Sequence, residues 1–172
     1  DKALALRDAV LFSLLFGCGL RRHELSTLEL SGWDKHSKEI VVTGKGDKMR
    51  RVPVPGRVSD ILQTWQDEIR GFQSGPLLCR FEKNDKALLS KPLSPSGIRY
   101  VVTTWCADFE KEVGRKVSPH DFRRAYATYL LDEGADINIV SKLMGHADIK
   151  TTAIYDRRDE QAMKKAIEKH FD

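Results

Sequence analysis

Residues 39–54 constrain the fold more than any other stretch, because there the repeat of the chain changes from helical to β. Glu39-Ile40-Val41-Val42-Thr43 and Met49-Arg50-Arg51-Val52-Pro53-Val54 are two short runs rich in β-branched residues, separated by Gly44-Lys45-Gly46-Asp47-Lys48. Two such runs around a glycine-rich polar turn make a β hairpin. Helical spacing governs most of the remaining chain, so the sequence predicts a mainly α domain with a small β hairpin, an α+β fold, over residues 1–172.

The helices can be placed from spacing and punctuation. Leu4, Leu11, Leu14 and Leu15, widened by Val10 and Phe12, predict a buried helix over residues 2–16, which Gly17 and Gly19 break. A helix restarts in Gly19-Leu20-Arg21-Arg22-His23-Glu24-Leu25, with Leu25 and Leu28 inward. After Pro55-Gly56, Ser59 is expected to cap a helix carrying Ile61, Leu62, Trp65 and Ile69. Residues 71–95 are weakly patterned and read as irregular with room for a short strand. From Ser96 one helix is expected to bury Ile98, Val101, Val102, Trp105, Phe109 and Val113.

Ser118-Pro119 is an N-cap and first-turn pair for a helix through Leu131. Gly134 ends it, and Asp136 caps a helix from Ile137 to Met144 with Ile139, Val140 and Leu143 inward. Asp148 is expected to cap a last turn or two, Ile149 to Tyr155. A charged amphipathic helix, Asp159 to Lys169, carries Ala162, Met163, Ala166 and Ile167.

Charge and cysteine content narrow the partners. The 29 Lys and Arg against 25 Asp and Glu leave +4 and a pI near 9.0, which favours a polyanion. Three cysteines, Cys18, Cys79 and Cys106, lack C-x-x-C spacing, so neither a disulfide framework nor a zinc site is suggested. A reducing cytoplasm fits best. The longest apolar run, Val10 to Gly19, is too short to span a bilayer, and no membrane role is expected.

Near the C-terminal end a histidine and a tyrosine, His146 and Tyr155, stand nine positions apart. A phenol of pKa ~10 is a poor nucleophile at neutral pH until nearby cations favour its phenolate. The chain offers such cations. Arg21 opens a helix, Lys45 lies between two glycines at the hairpin tip, and His120 and Arg123 are three apart in the first turn of a helix whose N-terminus suits a phosphate. Each has an ordinary structural explanation when taken alone, as a solvated arginine, a turn lysine or a chance H-x-x-R.

Taken together, Gly19-Leu20-Arg21-x-x-Glu24-Leu25, Gly44-Lys45-Gly46-x-Lys48-x-Arg50-x-Val52-Pro53, His120-x-x-Arg123, Leu143-Met144-Gly145-His146 and Thr151-Thr152-x-x-Tyr155 resemble, in order and separation, the catalytic domain of the tyrosine recombinases, the phage-integrase and Xer-like family. The resemblance covers nearly the whole chain. It implies the catalytic-core fold of that family, with the separate N-terminal core-binding domain absent ahead of residue 1. It also implies that Tyr155 attacks a DNA phosphodiester to give a 3′-phosphotyrosine and a 5′-hydroxyl. Arg21 and Arg123 would hold the non-bridging oxygens, with His146 adding a hydrogen bond. Lys45 would be the general acid, His120 would assist proton transfer at the tyrosine, and Glu24 would orient the cations.

No cofactor or metal is expected, since clustered Arg, Lys and His can stabilise a pentacoordinate phosphorane and no carboxylate cluster suits Mg²⁺. Double-stranded DNA is the expected partner, bound by a homo-oligomer, dimer to tetramer, with accessory DNA-bending proteins as further candidates. By charge, Lys48, Arg50, Arg51, Arg99, Arg124, Lys142 and Lys150 are candidates for backbone contact. Asp156-Arg157 follow the tyrosine where the family often has a small hydroxyl residue and a histidine, and Met144 replaces a frequent leucine. These departures bear on subfamily, because neither position carries chemistry.

The sequence leaves some readings open. A type IB topoisomerase-like nicking-closing enzyme would use the same residues, and a DNA-binding regulator could keep the scaffold without catalysis. The last helix could dock on a neighbouring protomer or pack on its own domain. Tyr155, set between Gly145 and the Asp156-Arg157-Arg158 run, is expected to sit out of its active position until a partner protomer and DNA bring it in.

Overall fold

The computed structural model describes residues 2–44, 46–82, 86–146 and 148–156. The chain falls into two compact units, Asp1–Arg123 and Arg124–Asp172.

The first unit is built on helix α1 (Lys2–Gly17), whose Val10, Leu11, Leu14 and Leu15 are fully buried. Its partner is α3 (Gly56–Trp65), and the two approach so closely that a Cβ on Gly17 would come within 2.7 Å of the Val58 side chain. Gly19 then takes a φ of +60°, a left-handed turn that glycine adopts without a Cβ clash, and the chain enters α2 (Arg22–Thr27). No described helix is long and apolar enough to cross a membrane.

The expected hairpin is present as β2 (Glu39–Thr43) and β3 (Met49–Pro53), antiparallel with Ile40 opposite Val52 and Val42 opposite Arg50. A two-residue strand that the sequence did not announce, β1 (Trp33–Asp34), adds to β2 and makes the sheet three-stranded. Ile40, Val42 and Val52 fill one face and are buried, as the period of two requires.

Several expectations need correction. Helix α3 begins at Gly56 with Pro55 in the N-cap position, so Ser59 lies within the helix, buried, and its N–H donates to the Pro55 carbonyl. A single π turn, Gln66–Arg70, follows α3. Within the irregular stretch 71–95 lies a second hairpin of β4 (Cys79–Phe81) and β5 (Ala87–Pro92), with a register shift at Cys79/Arg80. Its strands are short and its bulge interrupts the alternation that would have revealed them. The helix expected from Ser96 is two, α4 (Pro95–Trp105), capped by the Ser94 hydroxyl accepting from the Gly97 N–H, and α5 (Ala107–Val113). The break at Cys106 turns the second half, leaving Phe109 and Val113 exposed while Ile98, Val101 and Val102 stay in the core; Trp105, the last residue of α4, is also exposed, and its Nε1 donates to Asp8 Oδ2.

Helix α6 (Pro119–Asp132) begins as expected, and Asp121 accepts from both the N–H and the hydroxyl of Ser118. The second unit takes up after Arg123 and includes α7 (Ile137–Met144) and α8 (Lys150–Ala153). Asp136 caps α7 by accepting from the Asn138 and Ile139 N–H groups, and Gly145 closes it in the left-handed region, φ +60°. Asp148 accepts from the Lys150 N–H at the start of α8. Tyr126, Ala127, Leu131, Val140, Met144 and Tyr155 form this unit's core. Ile139, expected inward, is exposed, and Met144 occupies the interior instead. The helix expected over residues 159–169 lies outside the described residues.

The break at Cys106 makes a direct prediction. Val102→Ala, in the core, should cost about 2 kcal/mol, from lost methyl burial and a residual cavity. Val113→Ala, on the exposed side of α5, should change stability by no more than about 0.5 kcal/mol. Urea unfolding of the two variants checks this; equal losses would restore the single continuous helix.

Candidate active site

In the first unit the site is organised by a buried carboxylate. Glu24, on α2, is 2% exposed. Its Oε1 accepts from Arg50 Nη1 at 2.5 Å and from Arg21 Nη1 at 2.9 Å. Its Oε2 accepts from Arg50 Nη2 at 3.0 Å and from the Arg21 backbone N–H at 2.8 Å. Arg21 stands at the N-cap of α2 with extended backbone (φ −73°, ψ 148°), and Glu24 three residues on reaches back to it as in a capping box. Burial pushes the Glu24 carboxyl up, but hydrogen bonds from Arg50 and Arg21 and the charge of Arg50 outweigh it and hold the group below its ordinary value of 4.5.

Arg123 closes the same region from α6. It is 2% exposed, and its Nη1 donates to the carbonyl oxygen of Gly19, two residues before Arg21. A guanidinium so deeply buried needs acceptors around it, and the left-handed turn at Gly19 helps to aim this one. His120, one turn earlier on α6, is exposed. Lys45 lies outside the described residues.

In the second unit, His146 follows the Gly145 stop of α7, its backbone N–H donating to the Ser141 carbonyl. His146 Nδ1 and the hydroxyl of buried Thr152 share a hydrogen bond at 2.9 Å, which fixes the imidazole against α8. The Tyr155 ring lies 6.3 Å from the His146 ring, centroid to centroid, and the Arg124 guanidinium carbon lies 5.9 Å from the Tyr155 ring centroid. Tyr155 is 4% exposed and packed in the apolar core of this unit.

The expected catalytic residues therefore divide: Arg21, His120 and Arg123 belong to the first unit, and His146 and Tyr155 to the second. Of the residues singled out by charge, Lys48, Arg51, Arg99, Arg124, Lys142 and Lys150 are exposed, with Arg51 paired to Glu39 at 3.0 Å. Arg50 differs, its side chain turned inward onto Glu24. Strand alternation carries the signal that charge alone hides, because Arg50 shares a face with Val52 and Arg51 does not. Thr152 as a partner of His146 has no comparable sequence signal beyond its adjacency to Thr151.

Comparison with known proteins adds the family context. The phage integrase family model matches residues 1–162. Tyrosine recombinase XerC of Alcanivorax borkumensis is 34% identical over 164 residues, covering 94% of this chain and 51% of that protein. Among solved structures, XerA recombinase superposes with a TM-score of 0.72 at 27% identity, over 99% of this chain and 61% of that one. XerH site-specific recombinase, solved bound to a palindromic difH substrate in a post-cleavage complex, shares the fold with a TM-score of 0.76 at 23% identity, over 96% and 46%. The chain spans about half the length of the curated relatives it matches.

The Glu24 cluster predicts an acid dependence. A carboxyl whose folded pKa lies below its unfolded value contributes stability that is complete above the unfolded value and is lost as pH falls through the folded one. Stability should therefore drop on acidification below about 4.5. Glu24→Gln should cost about 3 kcal/mol at neutral pH, by leaving two guanidiniums without their counter-charge, and should flatten that acid limb. Urea midpoints across pH measure both; an unchanged acid limb in the variant would remove Glu24 as its source.

Proposed function

The chain belongs to the phage integrase family, and from that premise we propose that it breaks and rejoins DNA at specific sites through a 3′-phosphotyrosine intermediate. The observation that carries this reading is Arg123, a buried guanidinium bonded to the Gly19 carbonyl, which joins the H-x-x-R motif to the Arg21 motif across 104 residues of sequence.

In the forward step the Tyr155 oxygen attacks phosphorus, the bond from phosphorus to the 5′-oxygen breaks, and that oxygen leaves with a proton from Lys45. Arg21 and Arg123 bind the non-bridging oxygens, where a planar fork gives bidentate contacts, and His146 adds a third hydrogen bond. His120 assists removal of the tyrosine proton. The phosphotyrosine keeps the energy of the phosphodiester, so a 5′-hydroxyl from another strand can reverse the step and no nucleotide triphosphate is consumed. The cations supply the field for the phosphorane, and the reading requires no metal or cofactor.

Tyr155 is nearly fully buried in its own unit, so attack requires the segment after Gly145 to release it. A DNA-bound assembly of two to four copies is the natural agent of that release, with DNA-bending proteins as accessories. On this reading the protein works on DNA in the cytoplasm. Exchange of strands between paired sites separates this activity from the nicking and closing of a topoisomerase.

Incubation with nicked suicide duplexes tests the reading. The wild-type chain should accumulate a covalent protein–DNA adduct, and Tyr155→Phe should form none while binding DNA with an affinity within about threefold of wild type, since it removes only the attacking oxygen. An adduct from the phenylalanine variant would overturn the nucleophile assignment.

A further inference from the structure

We propose that Arg50 is a positioning residue for the cleavage reaction, acting on the scissile phosphate through Glu24 and Arg21 and making no contact with DNA itself. The inference rests on the recombinase reading of Arg21 and extends it to a residue that charge alone would assign to the DNA backbone.

Three observations carry it. Arg50 sits on β3 opposite Val42, on the inward face of the sheet, and its side chain is 15% exposed. Both terminal nitrogens donate to Glu24, one to each carboxylate oxygen, at 2.5 and 3.0 Å. Arg21 occupies the other side of the same carboxylate through Nη1 and its backbone N–H, and its side chain is 38% exposed. One negative charge is thus shared by two guanidiniums, of which Arg21 is the more solvent-accessible.

The consequence is electrostatic as well as geometric. With Arg50 present, the trio of Arg21, Glu24 and Arg50 carries a net charge of +1, and Arg21 retains a positive field toward an incoming phosphate. Without it, Glu24 and Arg21 form a neutral pair, and the carboxylate competes with the phosphate for the Arg21 guanidinium. Arg50 also ties β3 to the N-terminus of α2, so the hairpin and Arg21 hold one geometry. Lysine would return the charge without the fork that spans both oxygens.

The experiment uses nicked duplexes that the wild-type chain captures covalently from a randomised pool, each prepared with an ordinary scissile phosphate and with a neutral methylphosphonate in its place. On the ordinary phosphate, Arg50→Ala should slow adduct formation roughly 100-fold, the scale of a displaced catalytic contact, with DNA affinity unchanged. On the methylphosphonate, which has no charge to neutralise, the same variant should fall within about threefold of wild type. Arg50→Lys should lie between wild type and Arg50→Ala. The double variant Glu24→Gln/Arg50→Gln, with no carboxylate left to sequester Arg21, should react faster than Arg50→Ala.

Equal losses on both substrates, in variants whose unfolding stays cooperative, would reduce Arg50 to a structural role and overturn the proposal. So would a loss confined to salt-dependent DNA affinity, which would mark a backbone contact. Failure of the wild-type chain to capture any duplex would instead overturn the recombinase reading and the inference with it.

Discussion

Glu24 is a carboxylate buried to 2% exposure, and it is tolerable there only because four hydrogen bonds from Arg21 and Arg50 satisfy both of its oxygens. Desolvating an ion costs several kcal/mol, so removing either partner leaves the carboxylate with a single guanidinium and half of these four bonds. That cost sets the geometry. It holds the N-terminus of α2 against β3, fixes the side from which Arg21 meets solvent, and makes the ionised state of Glu24 part of the folded state at neutral pH. Arg123 adds a deeply buried guanidinium to the first unit, anchored on the Gly19 carbonyl just upstream of Arg21. Two charges on distant segments of the first unit are thus held by acceptors that the fold supplies.

The second unit follows a different physical logic. Its core is apolar, and Tyr155 belongs to that core, with His146 fixed beside it by the Thr152 hydroxyl and Arg124 near the ring. On the proposed reading, Arg21 and Arg123, the arginines that would hold the phosphate, belong to the first unit, while His146 and the Tyr155 nucleophile belong to the second. A buried phenol does not react with adventitious phosphodiesters.

Much of this was legible in the sequence, for reasons that differ by element. The β2–β3 hairpin was plain because its β-branched runs and glycine turn are local signals, and α6 and α7 were plain because Ser118-Pro119 and Asp136 mark their starts. The β4–β5 hairpin was hidden by short strands and a bulge, and β1 by having only two residues. The break at Cys106 has no glycine or proline to announce it, so Phe109 and Val113 were placed inward by a periodicity that does not continue. For the candidate site, the family resemblance, built on motifs and their order, named Arg21, Glu24, His120, Arg123, His146 and Tyr155 as expectations. It did not reveal that Arg50 faces Glu24, because that contact joins residues 26 apart across two elements.

The most direct test is to identify which of the chain's four tyrosines becomes linked to DNA. The covalent adduct from a nicked duplex would be digested with protease and nuclease, and the nucleotide-bearing peptide sequenced by mass spectrometry. The account predicts a single modified residue, Tyr155, joined to a 3′-phosphate, with a free 5′-hydroxyl on the released strand. Modification at Tyr100, Tyr126 or Tyr129, or a phosphate left on the 5′ side of the break, would contradict it.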